Sequence, residues 1–154
     1  MAHALNLTLK IKQDTATLAR LARIEAEFDT EIQPKIDAAL RKSEIVHFAR
    51  VLVIDKLYLQ VITEYDGDHE DYTEFFRKEL PEVFTMLFGL AENAPAPSAM
   101  ADKKAFFDFS QTLQVRSLGT AKNGDTDQLG KVAGYLFSAY GDRRVDTILP
   151  VLNP

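Results

Sequence analysis

Three polar residues, His47, Arg50 and Glu64, stand inside two otherwise apolar and β-branched runs of this sequence. A carboxylate beside an imidazole raises the pKa of the histidine, and such a pair could exchange protons with a substrate as an acid and a base. His47 and Glu64 are therefore the candidate catalytic residues. The alternative is a structural hydrogen bond between two neighbouring strands, with no chemistry attached to it.

Arg50 lies between two apolar residues of its run, where a guanidinium removed from water needs a partner. That partner could be an anionic ligand or a carboxylate of the protein itself. Tyr65, at the end of the second run, and Tyr140, in the C-terminal part of the chain, are the aromatic candidates. We therefore predict that Arg50, Tyr65 and Tyr140 contact a ligand, with core packing and an internal ion pair as the alternatives.

An acidic cluster surrounds His69 and consists of Asp66, Asp68, Glu70 and Asp71. Oxygen ligands of this kind suit a hard cation such as calcium. The spacing, however, does not match an EF-hand loop, which needs a glycine at its sixth place and a glutamate at its twelfth. Negative charge is also favourable at the start of a helix. We therefore predict helix capping here and no metal site.

Residues 45–67 must position most of these side chains, and they form the most apolar and β-branched stretch of the chain. We interpret them as a β-hairpin whose turn is Asp55 and Lys56, a register that places His47 opposite Glu64. A slip of one residue would separate that pair. Both faces of the hairpin are substantially apolar, so we expect helices to cover one face and a second subunit to cover the other.

The other elements follow from hydrophobic spacing. Strict alternation predicts a strand over residues 5–11, and helical spacing predicts a long helix over 14–40 that Pro34 kinks or breaks near 30–33. Helical patterns continue over 68–90 and 102–115. A last strand is predicted over 132–140, and then a short helical turn that Pro150 ends. Without the added third helix this order is the ferredoxin-like β-α-β-β-α-β arrangement, an α+β fold with an antiparallel sheet and helices on one face.

Bulk properties restrict the class of protein. A chain of 154 residues fits a single domain over 1–154, and its net charge of −5 argues against binding to nucleic acid. It contains no cysteine, which excludes disulfides and thiol catalysis and fits a cytoplasmic protein. No apolar run approaches the roughly 20 residues of a membrane span, so no membrane association is expected.

Short motifs resemble an uncharacterised branch of the dimeric α+β barrel superfamily. They are HFAR at residues 47–50 with an acid at Asp55, YDGD at 65–68 with Tyr72 following, and FSAYGDRRVDTI at 137–148. The resemblance covers residues 4–92 and 132–148. It implies a homodimer in which the open faces of two sheets pack together as a closed barrel.

The wider superfamily includes cofactor-independent monooxygenases, chlorite dismutases and dye-decolourising peroxidases, so the resemblance implies a small-molecule ligand and oxidation chemistry. Its haem members bind iron through a histidine on a helix of a second ferredoxin-like unit. The histidines here are His3, His47 and His69, and none lies in a comparable C-terminal helix. We therefore predict no cofactor, with haem as the alternative. The second functional hypothesis is a non-catalytic dimeric module that binds or regulates a partner protein.

Overall fold

A computed structural model describes residues 2–122, 124–127 and 130–154. Its three strands are β1 (His3–Lys10), β2 (Val46–Ile54) and β3 (Tyr58–Tyr65). Its α-helices are α1 (Thr15–Glu27), α2 (Gln33–Ser43), α3 (His69–Glu79), α4 (Pro81–Phe88), α5 (Pro97–Met100), α6 (Lys103–Leu113) and α7 (Val145–Leu152), and a π-helical turn over Phe28–Ile32 joins α1 to α2.

The strands form one antiparallel sheet in the order β1-β3-β2. Alternate residues of β1 and β3 are buried on one face: Leu5, Leu7, Leu9, Leu59, Val61, Thr63 and Tyr65. Apolar residues of α1, α3, α4 and α6 belong to the same core cluster. Each fully buried large apolar side chain contributes about 1.5–3 kcal/mol to folding. The predicted α+β class, with an antiparallel sheet and helices against one face, is confirmed.

Two prolines divide the helical parts of the chain. Asp14 caps α1 by accepting a hydrogen bond from the backbone N–H of Thr17. The predicted break before Pro34 is present as the π-helical turn, because proline has no N–H to continue the helical ladder. Pro81 stands at the first position of α4 and separates it from α3.

The hairpin register differs from the prediction by one residue. Ile54 pairs with Tyr58, because the loop contains three residues, Asp55, Lys56 and Leu57. Asp55 and Lys56 have positive φ. The same register continues along the strand and places Phe48 opposite Glu64. A β-bulge then lies between Val46 and Phe48, so that Val46 pairs with Tyr65 and His47 is the unpaired extra residue. The predicted His47–Glu64 pair is therefore wrong.

The predicted last strand over residues 132–140 is also wrong. This segment runs beside residues 115–121, where the Tyr135 N–H donates to the Leu118 carbonyl and the Ala121 N–H donates to the Ala133 carbonyl. The approach needs Gly134, since a Cβ there would collide with the Ser117 carbonyl oxygen. The described residues thus supply three strands to the sheet and leave out the fourth strand of a ferredoxin-like fold.

The outer edge of β1 is partly covered by the segment after α6. The Val115 N–H donates to the Asn6 carbonyl at 2.9 Å, and Leu7 forms an isolated antiparallel bridge with Gln114. At the far end of the chain, α7 includes Pro150, which was predicted to end the helical turn. Pro150 cannot donate to the carbonyl of Asp146, yet the helix continues to Leu152, so the predicted end of the helical turn at Pro150 is wrong.

Candidate functional site

The β-bulge places His47 in a buried hydrogen-bonded chain. The His47 side chain is 4% exposed, and its Nε2 lies 2.9 Å from Oδ1 of Asp66. A carboxylate only accepts, so Nε2 carries the proton and donates it to Asp66. In the neutral imidazole Nδ1 is then an acceptor, and the Tyr140 hydroxyl donates to it at 2.7 Å. Tyr140, His47 and Asp66 are therefore linked in series.

Asp66 uses both of its carboxylate oxygens. Its side chain is 2% exposed, and Oδ2 accepts a hydrogen bond of 2.8 Å from the backbone N–H of Val145, the first residue of α7. The backbone N–H of Asp66 donates to the Ile45 carbonyl at 2.8 Å. We call Asp66, His47, Tyr140 and the Val145 N–H the Asp66 cluster. It joins β2, the end of β3 and the start of α7.

Glu64 and Arg50 lie near this cluster without completing it. Glu64 is half-buried on the sheet face away from the helices, and desolvation raises its pKa, an effect that Arg50 and His47 partly offset. Arg50 is exposed, because β2 is an edge strand of the sheet, so its expected burial is wrong. Desolvation, together with the charges of Asp66 and Glu64, also raises the pKa of Tyr140. Tyr140 is thus held as a protonated hydroxyl.

Tyr65 lies on the opposite, helix-covered face of the sheet and is therefore separated from Tyr140. Its hydroxyl is 2.8 Å from Nδ1 of His69. Burial lowers the pKa of His69 to about 4, so this imidazole is neutral near pH 7 and can accept from Tyr65. Tyr65, His69 and His3 line a cavity of about 270 Å³ at this end of the sheet.

The acidic cluster caps α3, as predicted. Oδ1 of Asp68 accepts hydrogen bonds from the backbone N–H groups of Glu70 at 2.8 Å and Asp71 at 3.1 Å. Asp66 does not take part in the cap, because its carboxylate is turned into the Asp66 cluster. Across residues 2–122, 124–127 and 130–154, no three histidine or acidic side chains are grouped as metal ligands.

A second cavity, of about 230 Å³, lies between the helices and the sheet, and we call it the helix–sheet cavity. Its walls are largely apolar: Ala49, Val51 and Val61 from the sheet, and Phe28, Ile36, Leu40, Phe76, Leu80, Val83, Phe84 and Leu87 from the helical side. Arg50 is also among its lining residues, whereas Tyr65 and Tyr140 are not. Because side chains alternate along a strand, Arg50 borders the cavity from the edge strand β2 while its side chain lies on the open sheet face with Phe48 and Glu64.

Two hydroxyl groups interrupt the apolar wall of the helix–sheet cavity. Thr63 Oγ1 and Tyr72 Oη are 3.0 Å apart, and both side chains are buried. Burial raises the pKa of Tyr72 to about 12, so its hydroxyl stays protonated at neutral pH. Alternation along the strand predicts that Thr63 shares a face with Val61 and Tyr65, and the structure shows that this is the face the helices cover.

No helix in the described part of the chain is long and apolar enough to cross a membrane. Comparisons with protein-family models, with curated proteins and with solved structures gave no match to this chain. The geometry of the two cavities and of the Asp66 cluster is therefore the basis for assigning a function.

Proposed function

We propose that this protein binds a small, mainly apolar molecule in the helix–sheet cavity. The observation that carries the proposal is the cavity itself, about 230 Å³ in volume and lined mainly by apolar side chains of the sheet and of α2, α3 and α4. Ligand sites are typically concave, mostly apolar and supplied with a few polar groups. An apolar cavity of about 150 Å³ already holds benzene, so this one has room for a single ring with a substituent.

The wall formed by α2 and the π-helical turn is the proposed entrance. Phe28, Ile36 and Leu40 are only half-buried, whereas the sheet residue Val61 and the helical residue Leu87 on the inner walls are buried. π-Helical turns interrupt α-helices most often at functional sites. The five residues Phe28–Ile32 therefore give α2 a place to move when a ligand enters.

Filling the helix–sheet cavity should abolish ligand binding. Ala49 lines the cavity from β2, and Ala49→Leu adds three carbon atoms to that wall. We expect at least a tenfold weaker affinity for toluene, measured by chemical-shift titration, because the added side chain occupies the space of the ring. The matched control is Ala19→Leu, on the exposed side of α1. Toluene binding to Ala49→Leu with unchanged affinity would contradict the proposal.

The resemblance to the dimeric α+β barrel superfamily supports a further step, in which the bound molecule is oxidised as in the cofactor-independent monooxygenases. The support is the short motifs at residues 47–50 and 65–68. In this step a CH2 group of the bound molecule becomes a carbonyl and supplies the electrons that reduce O2, so that one oxygen atom enters the product and the other leaves as water. Incubation with phenylacetone in the presence and absence of oxygen, followed by mass spectrometry of the products, tests this step. Conversion of phenylacetone to 1-phenylpropane-1,2-dione is expected only in the presence of oxygen and of the protein.

We also propose that a second copy of this chain covers the open sheet face, as in a dimeric ferredoxin-like barrel. Phe48 on this face is 65% exposed, and Ile54 and Tyr58 are each 39% exposed. Arg50 and Glu64 lie on the same face, so two copies related by a two-fold axis could place opposite charges together. An apolar face that carries one positive and one negative side chain can pair with the same face of a second copy.

Introducing charge at Phe48 should produce monomers. We expect the wild-type chain to sediment as a dimer at tens of micromolar and Phe48→Glu to sediment as a monomer, because the new carboxylate would be desolvated in the interface. Val151→Glu, on the exposed side of α7, is the control and should stay dimeric. A monomeric wild-type protein would refute the assembly.

A non-catalytic, partner-binding module is the second candidate function. It is favoured by large apolar side chains that stay exposed outside the open sheet face, namely Leu118, Phe137, Val151 and Leu152. Native mass spectrometry of the purified protein separates the two candidates. A small molecule that copurifies with the chain favours the ligand-binding protein.

A further inference from the structure

The hydroxyl groups of Thr63 and Tyr72 share one hydrogen bond, which uses only one of their two O–H donors. Each hydroxyl carries one O–H donor, and the bond between the two oxygens, 3.0 Å long, uses one of them. No other hydrogen bond joins either hydroxyl to a residue that the structure describes. One O–H group of the pair is therefore left without an acceptor.

That unused donor lies in a setting where water does not compensate for it. Thr63 is 3% exposed and Tyr72 is 4% exposed, and both residues line the helix–sheet cavity. Buried hydroxyl donors are nearly always paired, because a missing acceptor leaves the cost of desolvation uncompensated. Two side chains with acceptor oxygens, Gln33 and Asp37, also line the cavity, but both are exposed, and no hydrogen bond in the described part of the chain joins either of them to the pair. The remaining lining side chains are apolar apart from the exposed Arg50, which only donates, so a molecule inside the cavity is the source of the missing acceptor.

We propose that the ligand of the helix–sheet cavity is a neutral carbonyl compound, a ketone or aldehyde on an apolar body of about one ring, whose oxygen accepts the free O–H of the Thr63–Tyr72 pair. This inference rests on the proposed function, since it concerns the same cavity. A carbonyl oxygen accepts without bringing a donor that would need its own partner.

A charged ligand fits this cavity less well. A carboxylate or phenolate would have to be desolvated, and the cation that borders the cavity, Arg50, is exposed at the sheet edge. The acid that lines the cavity, Asp37, is exposed and lies 3.2 Å from Arg41. The pair itself offers no negative charge for a cationic ligand, because burial raises the pKa of Tyr72 to about 12. Neutral molecules with an acceptor oxygen are therefore selected over ions.

The test compares two ligands of the same shape, cyclohexanone and methylenecyclohexane, which differ in having or lacking the acceptor oxygen. Their affinities are measured by chemical-shift titration for the wild-type chain and for the double variant Thr63→Val, Tyr72→Phe. We expect the affinity ratio of ketone to alkene to fall about tenfold in the double variant, the loss of one good hydrogen bond. Comparing ratios removes the difference in hydration between the two ligands.

The single variants separate a recognition role from a structural one. Thr63→Val leaves the Tyr72 hydroxyl free to donate, and Tyr72→Phe leaves the Thr63 hydroxyl free. Each single variant should therefore keep the ketone preference within about threefold of the wild-type value, while the double variant loses it. Loss of the whole preference in either single variant, or its retention in the double variant, would overturn the inference.

An infrared measurement needs no variant and covers the case in which the double variant does not fold. The carbonyl stretch of bound cyclohexanone should lie below its frequency in hexane, because the accepted hydrogen bond weakens the C=O bond. An unshifted stretch would overturn the inference and leave the cavity as a site for apolar molecules.

Two binding results would also be decisive. A higher affinity for cyclohexanol than for cyclohexanone would overturn the inference. A wild-type protein that binds neither cyclohexanone nor methylenecyclohexane would overturn the proposed function itself.

Discussion

Replacement of Asp66 by alanine is expected to lower the free energy of unfolding by about 1–3 kcal/mol for each of the two donors that it strands. The Nε2–H of His47 and the backbone N–H of Val145 both donate to the Asp66 carboxylate, at 2.9 Å and 2.8 Å. Both donors lie where water reaches them poorly, so neither regains its lost bond from solvent. Urea denaturation monitored by circular dichroism measures the change.

Glu64→Gln is the matched control for Asp66→Ala. Glu64 was the predicted partner of His47 and precedes Asp66 by two residues in the sequence. It makes no hydrogen bond to His47, so we expect a change within about 0.5 kcal/mol. In double-mutant cycles His47→Gln should be additive with Glu64→Gln and non-additive with Asp66→Asn. Equal losses for Asp66→Ala and Glu64→Gln would contradict the assignment of Asp66 as the partner.

Stability should fall as the pH is lowered from 6.5 to 4, and His69 should account for much of the fall. The pKa of His69 is about 4 in the folded protein, below the reference value of 6.5, chiefly because of burial. Between these two pH values the unfolded chain binds a proton at His69 that the folded protein does not bind. The contribution of His69 to stability is therefore complete above pH 6.5 and is lost as the pH falls toward 4. The difference between the two pKa values corresponds to at most about 3 kcal/mol of stability, and the partial exposure of His69 makes the contribution smaller.

His69→Gln tests this pH dependence, because a glutamine can still accept from the Tyr65 hydroxyl but does not titrate. We expect a flatter dependence of the unfolding free energy on pH between 4 and 6.5. Glu64, whose raised pKa acts in the opposite direction, is present in both proteins and cancels in the comparison. His3→Gln should flatten the dependence in the same direction, since burial lowers the pKa of His3 as well. The same pH dependence in wild type and His69→Gln would show that His69 is not buried as described.

Periodicity and proline positions predicted the parts of the fold that depend on local sequence. The alternation in residues 5–11 corresponds to β1, and the break before Pro34 corresponds to the π-helical turn. Elements set by tertiary contacts were not predictable in the same way. The aromatic alternation of residues 132–140 is typical of a strand, but residues 114–115 already pair with β1 at its outer edge.

The prediction of the candidate site depended on the register of the hairpin, which was wrong by one residue. The loop between β2 and β3 accommodates Leu57 through positive φ at Asp55 and Lys56, and neither residue is a glycine or asparagine that would have signalled the turn type. His47 was correctly singled out as a polar residue that needs a partner. Asp66 was assigned to helix capping, because a buried carboxylate just beyond a strand has no signature in the sequence. Tyr140 was predicted as a ligand contact, and the structure instead places its hydroxyl on His47.

The Asp66 cluster has a consequence for the order of folding. Its bonds join groups 79 and 93 positions apart in the sequence, whereas the sheet and the packed helices are complete by Leu113. Closing such long loops is entropically costly, so these bonds should form after the transition state for folding. During synthesis residues 140–145 leave the ribosome after the hairpin, so we expect them to dock onto a hairpin that has already formed. Weakening the cluster should therefore accelerate unfolding and hardly slow refolding, which makes Asp66 a determinant of how long the folded chain survives.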